Sequence, residues 1–115
     1  MFLKDKRVLV TGHTGFKGCW LVSWLLHCGA KVYGISKDIP TEPSMYKTLN
    51  LGSKINSTFI DIRNFEVYKK KFNEIKPDFL FHLAAQPIVR EAINNPLDTI
   101  LSNATGTANT LEILR

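Results

Sequence analysis

Three glycines at every third position could bind a phosphate near the start of this chain. Gly12, Gly15 and Gly18 follow an apolar run in a segment that reads RVLVTGHTGFKG from residue 7. Glycine lets a strand turn sharply into a helix, lets backbone approach a ligand, and lets the helix pack against the strand. The free amide groups at the helix start then favour an anion. The predicted chemistry is pyrophosphate binding by Gly12, Thr14, Gly15, Phe16, Lys17 and Gly18.

Two polar residues of this turn have competing explanations. Lys17 lies in the first turn of the predicted helix, where a cation opposes the helix dipole at a cost of about 0.3–1 kcal/mol. A bound phosphate would offset that cost, and a lysine that extends into solvent is the equally weighted alternative. For His13, an ordinary polar turn residue is a commoner explanation than a ligand contact.

Polar residues also follow the next two predicted strands, at the sheet edge where ligands of open α/β sheets bind. Ser36 suits a ribose hydroxyl, whereas the neighbouring Lys37 would favour a 2′-phosphate, so the choice between NAD and NADP stays open. Asp61 and Ile62 suit an adenine edge, with the carboxylate accepting from the amino group and the isoleucine covering the ring. An aspartate favoured by a helix dipole is the equal alternative for Asp61.

No catalytic acid/base pair is predicted within the chain. Tyr33 and Lys37 match the Tyr-x-x-x-Lys spacing, but in a strand they would be ~13 Å apart because each residue rises ~3.3 Å. His82 is interpreted as a hydrogen-bonded histidine in or near the core, and no residue set has the spacing of a metal site. Ala84 and Ala85 are small, which leaves room for a ligand beside the fourth predicted strand.

Apolar runs alternate with helical patterns along the chain. Strands are predicted at about 8–10, 31–36, 58–62 and 78–83, and helices at about 16–28, 44–49, 64–75 and 97–115. This alternation predicts an α/β fold with a doubly wound parallel sheet of order 3-2-1-4. The first helix is apolar around most of its circumference, so we expect it to pack between the sheet and other elements.

Composition narrows the classes of protein. A chain of 115 residues with 44% hydrophobic content holds one domain at most. The net charge of +5 includes the lysine run 69–71, which is interpreted as a solvated helix face, and no nucleic-acid partner is predicted. The start has no secretory pattern and the longest apolar stretch is shorter than the ~20 residues that span a bilayer. We therefore expect a cytoplasmic protein without a membrane partner, with both cysteines free.

With these residues in view, the sequence resembles the extended short-chain dehydrogenase/reductase family, whose fold is of the Rossmann type. The family's turn, Thr-Gly-x-x-Gly-[Phe/Tyr]-[Ile/Leu]-Gly, is met except at position 17. The narrower pattern with His13 and Lys17 is similar to that of nucleotide-sugar 4,6-dehydratases. Further matches are Pro40–Pro43, Asp61–Arg63, His82–Pro87, Asn103 and Gly106–Thr107.

The resemblance implies a lyase that uses NAD and acts on a nucleotide sugar, with CDP-glucose as the implied substrate. In such enzymes the sugar is oxidised at C4, water is eliminated across C5 and C6, and the hydride returns to C6. The implied site residues are the glycine turn at the pyrophosphate, Asp61 and Ile62 at adenine, Leu83, Ala84 and Ala85 beside the cofactor, and Gln86 near the substrate. A related epimerase or dehydratase, and a non-catalytic dinucleotide-binding module, are the alternatives.

The resemblance also bears on domain organisation. Residues 1–115 are expected to form the N-terminal part of a dinucleotide-binding domain, with the remaining strands and a substrate domain absent. The catalytic Tyr-x-x-x-Lys pair is expected after Arg115, so these residues alone are expected to be inactive. A homodimer or higher homo-oligomer is expected for the full-length protein.

Overall fold

The computed structural model describes residues 2–115. Four strands alternate with helices along the chain. The strands are β1 (Arg7–Thr11), β2 (Lys31–Ser36), β3 (Asn56–Phe59) and β4 (Phe79–His82). The helices are α1 (Phe16–His27), α2 (Met45–Thr48), α3 (Phe65–Ile75), α4 (Val89–Asn94), α5 (Pro96–Ile100) and α6 (Gly106–Leu114), with a 3-10 turn at Leu51–Ser53 and a π-helical turn at Leu101–Thr105.

The strands form one parallel sheet in the order β3-β2-β1-β4, as predicted. Val8 pairs with Val32 on one side and with Phe79 on the other, which places β1 between β2 and β4. The carboxyl ends of all four strands therefore meet at one edge of the sheet. The turns that follow them carry the candidate site residues.

Apolar residues cover both faces of β1, which explains its β-branched run. One cluster packs Val8 and Val10 against α1 through Cys19, Val22 and Leu25. The other packs Leu9 and Ile35 against the opposite layer, which contains α3 and α6 and includes the fully buried Tyr68. Cys19 and Cys28 are both buried and free, as expected.

Two predicted elements differ from the structure. The prediction for β3 is 58–62, but the strand spans Asn56–Phe59. It ends early because the Asp61 carboxylate accepts a hydrogen bond from the Arg63 N–H and turns the chain out of the strand. The single helix predicted at 97–115 is divided by the π-helical turn. That turn contains Asn103, whose side chain bonds to the loop after β4.

As expected, α1 packs against the sheet on one side and against α2 on another, but one of its apolar faces is exposed in the described residues. Phe16, Trp20 and Trp24 are exposed by 73%, 60% and 54% of their surface. They are spaced four apart, so they form one face of α1. Among residues 2–115, no helix is both long and apolar enough to cross a membrane.

Candidate functional site

The turn between β1 and α1 requires glycine at two positions for internal packing. Gly12 has a φ of +76°, and a Cβ there would lie 2.7 Å from backbone atoms of Leu83 and Ala84. A Cβ on Gly18 would lie 2.1 Å from the Gly12 carbonyl oxygen. These two glycines let the turn contact the end of β4 and let α1 begin directly against the turn.

Gly15 has no comparable internal requirement. Its φ of −76° and ψ of 172° are open to any residue. A Cβ at this position would meet only the Gly12 carbonyl oxygen, at an ordinary 3.5 Å. The absence of a side chain at the start of α1 therefore leaves space for a group from outside the protein.

The start of α1 is suited to an anion. It has no side-chain cap and no acidic residue in its first turn. The Cys19 N–H donates to the Gly15 carbonyl at 2.9 Å, so the amide groups of residues 16–18 precede the first helical hydrogen bond and are available to a ligand. Lys17 is exposed beside them and adds a positive charge.

The expectation that His13 is an ordinary polar turn residue is wrong, because its side chain is fully buried. The imidazole lies against Gly34 of β2, where a Cβ would be 2.3 Å from the ring. Nδ1 lies 2.9 Å from Ser36 Oγ, and Nε2 lies 2.6 Å from Ser57 Oγ, which accepts from the Tyr46 hydroxyl. Burial lowers the pKa of His13 to about 4, so the ring is neutral at pH 7.

Ser36 serves the same internal network. It is only 4% exposed, and its Oγ accepts from the Thr14 N–H at 3.3 Å. The Thr14 hydroxyl donates to the Asp38 carbonyl at 2.6 Å. Ser36 and Thr14 thus fix the glycine turn against the end of β2, and a contact of Ser36 with a ribose hydroxyl stays a prediction.

Thr11 joins the end of β1 to the end of β4. Its Oγ1 accepts from the N–H groups of Leu83 and Ala84 at 3.1 and 3.2 Å. The Thr107 hydroxyl donates to the Asn103 carbonyl at 2.6 Å, so its Oγ1 accepts from His82 Nε2 at 3.2 Å. This assigns the proton of the neutral ring to Nε2 and leaves Nδ1 to accept from the Thr11 hydroxyl at 2.7 Å. Burial lowers the pKa of His82, consistent with a neutral ring.

Asp61 lies in the loop after β3 and is paired with Arg63. The guanidinium donates through Nε and NH2 to both carboxylate oxygens, with the NH2 contact at 2.6 Å. The side-chain hydrogen bonds from Arg63 are the main cause that lowers the pKa of Asp61. The carboxylate keeps about a third of its surface exposed and remains a charged acceptor at this edge of the sheet.

The Ile62 side chain points into the protein. That side chain is 7% exposed and lies against Gly106, where a Cβ would be 2.5 Å from Ile62 Cδ1. Within residues 2–115 the Ile62 N–H has no hydrogen-bond acceptor. A partly exposed acceptor, the Asp61 carboxylate, is therefore adjacent in the chain to a donor without a partner among the described residues, the Ile62 amide.

The loop after β4 is fixed by amide side chains. Asn103 accepts from the Gln86 N–H at 2.7 Å and donates to the Gln86 carbonyl at 3.0 Å. The Gln86 side chain donates to Thr99 Oγ1 and accepts from the Ile88 N–H. Gln86 is thus engaged within the protein, and Leu83 and Ala85 are exposed at the same sheet edge.

Only some of the predicted site residues are in direct contact with one another. The glycine turn contacts the end of β4 through Gly12, and it contacts the end of β2 through Thr14. Asp61 lies one strand further out, where the Ile60 N–H donates to the Ser36 carbonyl. Tyr33 and Lys37 span a strand, as predicted, so they form no helical acid/base pair.

Several residues of the site have partners that are distant in sequence. The His13 imidazole lies next to Ser36 and Ser57, Arg63 binds Asp98 in addition to Asp61, and Asn109 donates to the carbonyls of Ile62 and Arg63. A glycine inside β2, Gly34, is the one local indication that a side chain approaches that strand closely.

The fold and the turn define a Rossmann-type α/β protein, with a ligand edge at the carboxyl ends of its parallel strands. A profile of the GDP-mannose 4,6 dehydratase family matches residues 9–115, and the chain belongs to this family, within the extended short-chain dehydrogenases/reductases.

Individual relatives agree with this assignment. CDP-glucose 4,6-dehydratase of Salmonella typhimurium is 45% identical over 114 residues, which are 99% of this chain and 32% of that protein. UDP-glucuronate 4-epimerase of Thermodesulfobacterium geofontis is 38% identical, over 93% of this chain and 35% of that protein.

A solved structure is also similar. The NAD complex of UDP-glucose 4-epimerase from Thermus thermophilus superposes with a TM-score of 0.82 and 31% identity, over 93% of this chain and 33% of that chain. The chain thus spans about a third of the length of the relatives it matches.

Proposed function

We propose that residues 1–115 are the N-terminal, NAD-binding part of a nucleotide-sugar 4,6-dehydratase that converts CDP-glucose to CDP-4-keto-6-deoxyglucose. The observation that carries the proposal is Gly15, a glycine that neither the backbone nor internal packing requires, at the uncapped start of α1. The 45% identity to a CDP-glucose 4,6-dehydratase supports this substrate over other nucleotide sugars.

The residues present fit NAD at three places. The amide groups of residues 16–18 and Lys17 would hold the pyrophosphate, because both offer positive charge at a glycine-lined turn. The Asp61 carboxylate and the Ile62 N–H would hold the adenine edge, which presents an amino donor beside a ring-nitrogen acceptor. Leu83, Ala84 and Ala85 would run beside the cofactor.

The chain's own residues would bind and orient rather than transfer protons. NAD, when bound, supplies a hydride acceptor, and the overall dehydration is redox-neutral because the hydride returns to the sugar. Thr11 and Gly12 hold the ends of β1 and β4 together, so the glycine turn and the loop after β4 would form one continuous side of the cofactor site. The Tyr-x-x-x-Lys pair for proton transfer is proposed to follow Arg115.

The test is turnover by the full-length protein. Incubation with CDP-glucose and NAD is expected to yield a product lighter by one water, measured by mass spectrometry, with no net accumulation of NADH. A product of unchanged mass from a nucleotide sugar would instead indicate an epimerase, the activity of the Thermodesulfobacterium relative. NAD binding without turnover of any nucleotide sugar would favour a non-catalytic binding module.

We also propose that the protein acts in the cytoplasm.

We further propose that the full-length chain forms a homodimer or a higher homo-oligomer. Exposed apolar residues on α4 to α6, among them Ile93, Leu97 and Leu111, support self-association through these helices. Sedimentation of the full-length protein tests the oligomeric state.

A further inference from the structure

The loop that follows β3 is held from behind by α6. Asn109 Nδ2 donates to the carbonyl oxygens of two consecutive residues, Ile62 at 2.9 Å and Arg63 at 3.2 Å. Asn109 is partly buried and lies 46 to 47 residues away in sequence. Among the described residues, its side chain forms hydrogen bonds only with the backbone of this loop and none with the Asp61 carboxylate.

Two further contacts hold the same loop against α5 and α6. Ile62 packs onto Gly106, which lies one helical turn before Asn109. Arg63 NH1 donates to Asp98 Oδ1 of α5 at 2.7 Å. Asn109 is the member of this set that fixes backbone orientation, because it binds two carbonyl groups with one amide.

One peptide unit links Asn109 to the acceptor group of the proposed adenine site. The Ile62 carbonyl, held by Asn109, and the Arg63 N–H belong to the same planar peptide. That N–H donates to Asp61 Oδ1 at 3.0 Å. Since the peptide is rigid, fixing its carbonyl also fixes the direction of the hydrogen bond that orients the carboxylate.

We infer that Asn109 is a positioning residue for recognition of the adenine base, acting through the Ile62–Arg63 peptide on Asp61 and on the adjacent Ile62 N–H. This inference rests on the proposed function. An adenine edge offers a donor to the carboxylate and an acceptor to the amide. A hypoxanthine edge has these two groups exchanged. When the loop is held in place, the hypoxanthine oxygen would therefore face the Asp61 carboxylate and the ring N–H would face the Ile62 N–H, and neither pair can form a hydrogen bond.

The experiment compares two dinucleotides in the full-length protein. Dissociation constants for NAD and for nicotinamide hypoxanthine dinucleotide are measured by calorimetry. A pair of complementary hydrogen bonds discriminates between base edges by roughly 10- to 100-fold, and we expect wild-type protein to prefer NAD within this range. Asn109→Ala is expected to reduce the preference at least fivefold, because the loop then adapts to either edge.

Matched variants separate positioning from a loss of stability. Asn73→Ala removes an exposed helical asparagine of α3 and is expected to leave the preference unchanged. Asn109→Gln keeps the amide but displaces it by one methylene, and its preference is expected to fall between those of wild type and Asn109→Ala. Urea unfolding of each variant establishes that the titrated protein is folded.

The outcomes distinguish this inference from the proposed function. If wild-type protein prefers NAD and folded Asn109→Ala keeps the full preference, the inference is overturned while NAD binding stands. If both Asn109 variants fail to fold, Asn109 has a structural role only and the inference is again overturned. If wild-type protein binds neither dinucleotide, the proposed function fails and this inference fails with it.

Discussion

Replacement of Gly15 by alanine should weaken NAD binding without weakening the fold. The native φ and ψ at this position are allowed for alanine, and the new methyl group would meet only one protein atom, at 3.5 Å. A glycine-to-alanine change at an allowed φ and ψ stabilises a protein by about 0.4–1 kcal/mol, because the unfolded chain loses freedom. Gly15 is also the N-cap of α1, where alanine is less favourable than glycine by a similar amount, so the two effects offset each other. The free energy of unfolding should therefore change by less than about 1 kcal/mol.

The expected loss of affinity follows from the helix start. A hydrogen bond between an amide and a charged phosphate contributes about 1.5–3 kcal/mol. If the methyl group displaces the pyrophosphate enough to break one such bond, the dissociation constant for NAD rises by about 10- to 150-fold. The loss should appear equally for NAD and for ADP-ribose, since both carry the pyrophosphate.

The matched comparison is Gly18→Ala, where the methyl group would lie 2.1 Å from a backbone oxygen. This variant should lose stability as well as affinity, by about 1–3 kcal/mol or more for an overpacked site. The assay is calorimetric titration with NAD combined with urea unfolding of both variants in the full-length protein. Unchanged NAD affinity in Gly15→Ala would refute the reasoning, as would a loss of stability equal to that of Gly18→Ala.

Three further predictions concern stability and association. Because the folded pKa of His13, about 4, lies below its unfolded value of 6.5, the unfolded state binds more protons between these values. Stability should therefore fall by up to about 3 kcal/mol as the pH drops from 7 to 4; urea unfolding measures this loss, which should shrink in His13→Gln and persist in the exposed His27→Gln control. Thr11→Val should destabilise the fold by about 1–3 kcal/mol because it leaves the Ala84 N–H without its acceptor, whereas the Leu83 N–H keeps the backbone carbonyl of residue 11; a midpoint in urea identical to wild type would contradict this. The 115-residue chain alone should self-associate through the unpaired edge of β4; a monomer with a cooperative thermal transition in light scattering and calorimetry would count against it.

Local patterns were sufficient to predict the strand order, the glycine turn and the main helices. Asn64, for example, is of a residue type favoured at helix N-caps, and its Oδ1 accepts from the Val67 N–H at the start of α3. Gly29 has a φ of +79° just beyond the end of α1, where glycine is favoured. Both of these helix ends are decided by residues a few positions apart.

Features that depend on distant contacts were missed. The burial of His13 requires the missing side chain of Gly34, and the early end of β3 depends on the Asp61–Arg63 turn held by α5 and α6. Helix α4 has no buried residue, so its sequence lacks the helical spacing of apolar residues by which a helix is predicted. The sequence contains these residues, but nothing in their spacing along the chain indicates which of them meet.

The most direct test of an NAD site in this domain is calorimetric titration of the full-length protein with NAD and with NADP. We predict saturable binding of NAD that is tighter than that of NADP and weaker in Gly15→Ala. The absence of NAD binding, or a preference for NADP expressed through Lys37, would contradict the account.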